Sequence, residues 1–521
     1  MAKRQLQWKL AAIVALCGGM ALMTSCNCYD DNAVETPTES MPSYEHVLDF
    51  FDEVTKIPRP NKHEEKMVEY LIDFAKERNL EYWVDGKNIV IYKDATEGME
   101  QAPGVVLQAH TDMICVAADG YDVDFMTQGI EAVNDGIFIH SKDYKTSLGA
   151  DDGIGIAIIL AVLDSHDIKH GPLECLFTWD EEDEFSGATS FPAGFLKGQY
   201  MFNIDWEEEG ELCIGTAGGV EVDVSLAYDA TAVPADYVAL KLSLKNLAGG
   251  HSGVAINDGG ANAITLLAEF MHQKADDMRL VSMRGGTYVN VIATSATATV
   301  VVPEAKKQAF VNSWNQYMTA NKELYATTDP EMDYCIEDVY MPTTCLTEAD
   351  TKAIVAGISA APQGVIEWST TIDNMFETSN NIGVVSVDAS GFYAEYLLRG
   401  FDYKKIDDLA TTMELTYTNL NPDFKCQQVA PFMPWNPDID SPLMQYAQNV
   451  YQQCFGRSMK LRKVGGGLEV SEFTQKYPDM QFISYGPTIY DAHSVNERVD
   501  IKSISNCWYY TLNLLICDLS N

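Results

Sequence analysis

Residues 105–113 read VVLQAHTDM. The opening VVLQAH is an apolar run of the length of one buried strand, and it ends in a polar tripeptide. Side chains two apart on a strand share a face, so His110 and Asp112 would stand side by side where this strand emerges. That placement suits a metal ligand and a carboxylate that orients its ring. Whether the strand belongs to an α/β sheet depends on its neighbours in the chain.

Upstream, Val47, Leu48, Phe51 and Val54, then Met67, Val68, Leu71, Phe74 and Ala75, recur at helical spacing and predict two amphipathic helices. Strands are predicted at NIVIYKD (88–94), LECLFTW (173–179) and YMFNID (200–205), with a helix after Gly153 through IGIAIILAVL. Helices alternating with short apolar strands predict an α/β domain with a mainly parallel or mixed sheet. Such sheets bind ligands at the carboxyl ends of their strands.

Near residue 220 the pattern changes. Val238, Leu240, Leu242 and Leu244 alternate with Ala239, Lys241, Ser243 and Lys245, the period of a half-exposed strand. A helix over 262–274 and strands at TATVVV (297–302), IGVVSV (382–387) and FYAEYLLR (392–399) follow, predicting an α+β layer with one sheet face open to solvent. The α/β style returns near 425 with a helix after Ser441, the strand MQFISYGP and a last helix through WYYTLNLLICDL. The expectation is therefore a discontinuous catalytic domain, 43–220 and 425–521, with an inserted α+β lid domain over 221–424. No internal repeat is visible.

The chain has 521 residues, enough for two or three domains. Its 35 Lys+Arg against 76 Asp+Glu leave a net charge of -41, which repels phosphate backbones and excludes a nucleic-acid partner. The 12 cysteines form no CxxC pair and read mostly as small buried apolar residues. At the N-terminus, Lys3, Arg4 and Lys9 precede an apolar run over Leu10 to Met23 that is too short for a comfortable membrane span. It ends in LMTSC, which resembles a bacterial lipoprotein signal with Cys26 as the acylated first residue. The acid- and Pro-containing stretch over 26–42 then reads as a tether. The expectation is a signal over 1–25 and an exported protein, periplasmic or surface-displayed, held to the membrane only through lipid on Cys26.

Four more acidic or His-bearing stretches fall at predicted strand ends and turns: SLGADDGIG (147–155), TWDEEDE (178–184), FNIDWEEEGE (202–211) and PTIYDAHSVNE (487–497). With AHTD they offer His110, Asp151, Glu181, Glu182, Asp205 and His493. So many carboxylates at one sheet edge would repel one another without cations. Two His and three carboxylates make the inventory of two zinc-like ions with a bridging carboxylate, and the additional Glu is a proton carrier.

The joint order of these motifs resembles the zinc-dependent dipeptidase, aminoacylase and carboxypeptidase superfamily, and within it the aminoacyl-histidine dipeptidases, also called cytosolic nonspecific dipeptidases or peptidase D. The carrying residues are IPRPNKHEE, VVLQAHTDM, SLGADDGIGIA, HGPLECLFTWDEE, NIDWEEEGELCIGTAGG, GGHSG, ETSNNIGVV, YGPTI and AHSVNE, from about residue 44 to the end. The resemblance implies a zinc-exopeptidase-like fold and two divalent ions, zinc first, with manganese or cobalt as alternatives. It implies that His110, Asp151 and Asp205 hold one ion, that Asp151, Glu182 and His493 hold the other, and that Asp112 orients His110. It further implies Glu181 as the base, His251 of GGHSG as an oxyanion donor, Asn290 and Arg399 on the substrate, a cis Asp151–Asp152 bond, and a homodimer in which the His comes from the partner. Two stretches depart from the pattern: GGGLE (465–469) replaces His-Ala-Gly-Leu-Glu, and VNVIA replaces RNAIP around Asn290. The expected activity is hydrolysis of dipeptides, Xaa-His or broader. Its rivals are a carboxypeptidase or N-acyl amino acid deacylase on the same site and a non-catalytic peptide-binding protein.

Overall fold

The strand Val105–His110 is buried along its whole length. In the computed structural model, which describes residues 42–436 and 438–516, it lies inside an eight-stranded mixed sheet. The order across that sheet is Tyr82–Val84, Ile89–Lys93, Leu173–Thr178, Val105–His110, Tyr200–Asn203, Gln481–Ser484, Glu211–Thr216 and Lys460–Val464. Val105–His110 runs parallel to both of its neighbours, with His110 opposite Thr178.

Strands in such a position must be apolar on both faces. Val105, Leu107 and Ala109 join one core with Val47, Phe51 and Leu71 from the helices Glu45–Thr55 and Glu65–Glu77. Val106 points the other way, into a smaller core with Leu176, Phe191, Met201 and Phe473. The helix Ala150–Asp164 is apolar around its whole circumference and is accordingly buried from Ala150 to Leu163. Pro442–Phe455 and Ile501–Leu515 complete the first layer.

A second sheet has nine strands in antiparallel pairs, built between Gly218 and Phe432. Leu240, Leu242 and Leu244 face a core closed by the helices Ala263–Gln273, Lys307–Leu324, Glu348–Ala360 and Tyr403–Thr418. Lys241 and Ser243, on the opposite face, remain partly exposed, as the alternation requires. Each fully buried leucine there contributes roughly 1.5–3 kcal/mol relative to exposure. The two sheets meet where Glu211–Thr216 passes through Ala217 directly into Gly218–Leu226. Ala217 N–H donates to the Val464 carbonyl at 2.8 Å, and Thr216 bridges to Trp435.

The observed elements differ from the expected ones mainly at their ends. Ala150–Asp164 begins before Gly153, because its first turn contains the non-helical residues Asp151 and Asp152. Lys425–Phe432 pairs with Gly218–Leu226 in the nine-stranded sheet. Of the eight described cysteines, Cys175, Cys213, Cys345 and Cys507 are buried, Cys335 is exposed, and none is in a disulfide. The stretches read as signal and tether, Cys26 included, lie outside the described residues except for Pro42, as do residues 517–519 of the expected last helix.

Candidate active site

Parallel strands place their carboxyl ends on one edge, and the loops leaving that edge bring the acidic stretches together. His110 closes Val105–His110, Asp205 lies just beyond Tyr200–Asn203, and Glu181 and Glu182 follow Leu173–Thr178. Asp151 sits in the distorted first turn of Ala150–Asp164, where the Asp151–Asp152 bond is cis. His493 reaches the same point from the loop between Ile489–Tyr490 and Arg498–Asp500, with a φ of 60°.

His110 Nε2 stands 2.9 Å from Asp151 Oδ1 and 3.4 Å from Asp205 Oδ1. His493 Nε2 stands 3.0 Å from Asp151 Oδ2 and 2.9 Å from Glu182 Oε2. Ligand atoms of His110, Asp151 and Asp205 lie within 4.8 Å of one another, as do those of Asp151, Glu182 and His493, so the two groups share Asp151. Each imidazole nitrogen faces two carboxylate oxygens and has one proton to offer them. Glu182 Oε1 is buried with no hydrogen-bond partner among the described residues. A divalent cation in each group would satisfy every one of these oxygens, so the donor set fits a metal pair.

The electrostatics express the same excess of acid. Asp151 and Glu182 beside His493 raise its imidazole to about 11. Burial pushes Asp205 up to about 7, with His110 opposing and Asp151 and Glu182 adding to the rise. Burial and the nearby Asp205 drive Glu181 well above the usual carboxylate range. Asp112 goes the other way, to about 2, because His110, Asn61 and the Glu181 N–H together outweigh its burial.

Asp112 is the hub of the supporting contacts. Its Oδ1 lies 3.2 Å from His110 Nδ1 and accepts the Glu181 N–H at 3.0 Å; its Oδ2 accepts the Glu182 N–H at 3.1 Å and Asn61 Nδ2 at 2.7 Å. One carboxylate thus orients both a ring and the backbone carrying two acids. Asp152 accepts the His110 N–H at 3.2 Å and the Gly155 N–H at 3.0 Å.

Sequence reading missed several supports. Glu497, from the AHSVNE motif, accepts the backbone N–H groups of Leu148, Gly149 and Ala150 at 2.7, 3.0 and 2.7 Å. Arg59, 1% exposed, donates to the carbonyls of Thr111, Asp112 and Gly149. Glu469 accepts from Thr178 Oγ1 at 2.6 Å and from Gln108. Each lies inside a quoted motif, but a single charge in a loop has no periodicity that would reveal a buried partner.

The residues expected on the substrate side form a different group. Arg399, 6% exposed on Gly391–Gly400, donates from Nη1 to the Gly465 carbonyl at 3.0 Å, and burial lowers its guanidinium to about 10. Burial and Arg399 together lower the His251 imidazole. His251 bridges to Val291, and the Asn290 carbonyl accepts the Ser252 N–H at 2.8 Å, so the Asn290 loop and the His251 loop are paired. The GGGLE departure has a steric reason: a Cβ at Gly465 would lie 1.7 Å from the Gly253 carbonyl oxygen.

The sequence also suggested an exported, lipid-anchored protein, and that expectation is corrected. A curated relative that matches along most of the chain is the cytosol non-specific dipeptidase of Escherichia coli (strain K12), 35% identical over 91% of this chain and 98% of that protein. No helix among the described residues is long and apolar enough to cross a membrane. The expectation rested on a short apolar run behind basic residues, a compositional feature that is separate from the fold.

Among solved structures, the aminoacylhistidine dipeptidase from Vibrio alginolyticus superposes with a TM-score of 0.85 at 34% identity, over 90% of this chain and 96% of that one. The aminopeptidase PepT from Bacillus cereus ATCC 10987 shares the fold, with a TM-score of 0.53 at 14% identity over 92% and 99%. The model of peptidase family M20/M25/M40 matches residues 106–516. With the family model spanning both parts of the eight-stranded sheet and every acidic stretch at its edge, the chain belongs to peptidase family M20/M25/M40 and is a peptide hydrolase.

Proposed function

We propose that this protein is a dinuclear metal-dependent dipeptidase, and that the two ligand groups sharing Asp151 carry its activity. The two relatives described above at 34–35% identity over 90–91% of the chain are dipeptidases, which supports the substrate class. His110, Asp151 and Asp205 would hold one divalent ion and Asp151, Glu182 and His493 the other, zinc being the first expectation. Bound there, the ions supply Lewis acidity that lowers the pKa of water and polarises a carbonyl.

Glu181 is the proton carrier. It is 9% exposed and carries no ligand duty, and its carboxylate takes the proton of the attacking water and returns it to the leaving amine. Asp112 keeps the His110 ring and the Glu181–Glu182 backbone in register, so that ligand and base are placed by one group. Arg399 pairs with the substrate's terminal carboxylate, Asn290 orients the peptide, and His251 donates to the developing oxyanion. In a homodimer, His251 would act in the partner's site. The catalytic lobe comprises residues 43–216 and 433–516 and the lid 218–432, a division supported by the strand membership of the two sheets.

The test is hydrolysis of a dipeptide panel that includes Xaa-His and β-alanyl-His, after chelation and again with zinc, manganese or cobalt. Metal-restored cleavage of unblocked dipeptides is expected. Cleavage confined to N-acylated substrates would replace this reading with a deacylase, and a chain that binds no metal and cleaves nothing would overturn it.

A further inference from the structure

In a dipeptide the ammonium nitrogen is one Cα away from the scissile carbonyl carbon, a separation of about 2.5 Å. Whatever recognises that ammonium must therefore adjoin the metal-ligand residues. A cavity of about 340 Å³ opens beside them, lined by Asp205, Trp206, Glu207, Glu208, Leu468 and Ile489. Its wall contains no Lys or Arg, so a cationic group is favoured in it and a carboxylate is not.

Most acids around the centre already have a task. Asp112 and Asp152 accept the hydrogen bonds described above, Glu469 holds Thr178 and Gln108, and Glu497 holds the loop over 148–150. Glu208 is exposed and within the field of Arg462 and Lys460. Glu207 is different. Its side chain is half-buried in the cavity wall, and Asp151 and Asp205 are its acidic neighbours. The His493 imidazole, the cation acting on it, is already engaged by Asp151 and Glu182.

The backbone at this point is held firmly. The Glu207 carbonyl accepts the Ile489 N–H at 3.1 Å, and a Cβ at Gly486 would lie 2.0 Å from the Trp206 carbonyl oxygen, so the glycine lets this segment pack closely. Trp206 Nε1 is buried without a partner among the described residues.

We propose that Glu207 is the specificity residue that recognises the free α-ammonium of the substrate, selecting unblocked dipeptides over N-acylated ones. The inference rests on the dipeptidase reading. A substrate ammonium would meet an acceptor that is fixed, partly desolvated and otherwise faced by acids, where a charge-assisted hydrogen bond is strong. With Arg399 for the terminal carboxylate, the two ends of a zwitterionic dipeptide would be told apart by opposite charges.

The test compares the full chain with Glu207→Gln and Glu207→Asp, using alanyl-alanine as substrate and propionyl-alanine, which lacks the amine, as competitive inhibitor. Bound metal is measured in each variant. Glu207→Gln should raise KM for alanyl-alanine roughly 10- to 100-fold while leaving the inhibition constant of propionyl-alanine and the metal content in place. Glu207→Asp should recover part of the loss. Equal shifts for both ligands, an unchanged KM, loss of metal in step with activity, or wild-type protein that binds propionyl-alanine as tightly as the dipeptide would each overturn the assignment. If the metal-loaded wild type cleaves no unblocked dipeptide, the dipeptidase reading itself fails, a result distinct from the others.

Discussion

Asp112 shows why the site depends on few atoms. Buried and held near a pKa of about 2, it is an acceptor throughout the working pH range, and all four of its contacts need an acceptor. Glu181, whose backbone it fixes, has no such donors on its own carboxyl among the described residues, as the proposed proton carrier requires. Replacing Glu181 by Gln removes the exchangeable proton and retains the shape. We expect bound metal to be retained and kcat to fall by roughly 10²- to 10⁴-fold. Parallel measurement of metal content and turnover checks this, and an unchanged kcat would remove Glu181 from its role. The adjacency of His110 and Asp112 followed from a strand's period of two, which is local, whereas their role came from the resemblance. Glu497 and Arg59 were not legible, since their partners are backbone atoms brought near only by folding.

At the scale of elements, the helix Ala150–Asp164 carries Asp151, the proposed bridging ligand, and its first turn is shaped by packing. Gly155 faces Asp152 and the strand end beyond Tyr200–Asn203, and a Cβ there would sit 2.2 Å from Asp152 Oδ1 and 2.7 Å from the Ile204 carbonyl oxygen. Gly155→Ala must push Asp152 away from the His110 N–H that it accepts. The expected cost is roughly 1–3 kcal/mol of stability, read by denaturant unfolding, together with weakened metal binding. Stability and metal affinity both at wild-type level would contradict the packing argument. The sequence predicts this helix from its apolar run but places its start after Gly153. The earlier turn is non-helical at Asp151 and Asp152, and periodicity cannot register residues that depart from the helical φ and ψ.

For the whole molecule, metal and fold are linked. The proposed ligands come from residues 110 to 493, so ions that joined them would also tie both chain segments of the eight-stranded sheet. Chelation should lower the melting temperature and metal should restore it, the stabilisation reaching about 2.7 kcal/mol at a free metal concentration of 100 times Kd. Acid should oppose binding. The imidazoles of His110 and His493 are both raised by neighbouring carboxylates, so across the neutral range each carries a proton that a metal must displace. Apparent affinity therefore weakens as pH falls, by up to about tenfold per pH unit for each proton released, as titration calorimetry in buffers of different ionisation enthalpy would show. A pH-independent affinity would mean that these rings are not ligands.

Taken by itself, the sequence determined what local patterns can encode. The alternation of apolar runs specified the α/β character of the segments around the site and the half-exposed sheet between them. The order of motifs identified the family, and the residue types in them specified an excess of carboxylate that calls for cations. What only the tertiary structure decided was adjacency. Asp151 lies between His110 and His493 because parallel strands deliver their ends to one edge, Gly465 is glycine because the Gly253 backbone passes against it, and Glu207 faces a cavity among acids. These contacts join residues tens to hundreds of positions apart, and no spacing rule reaches across a distance that the chain closes only by burying its two sheets.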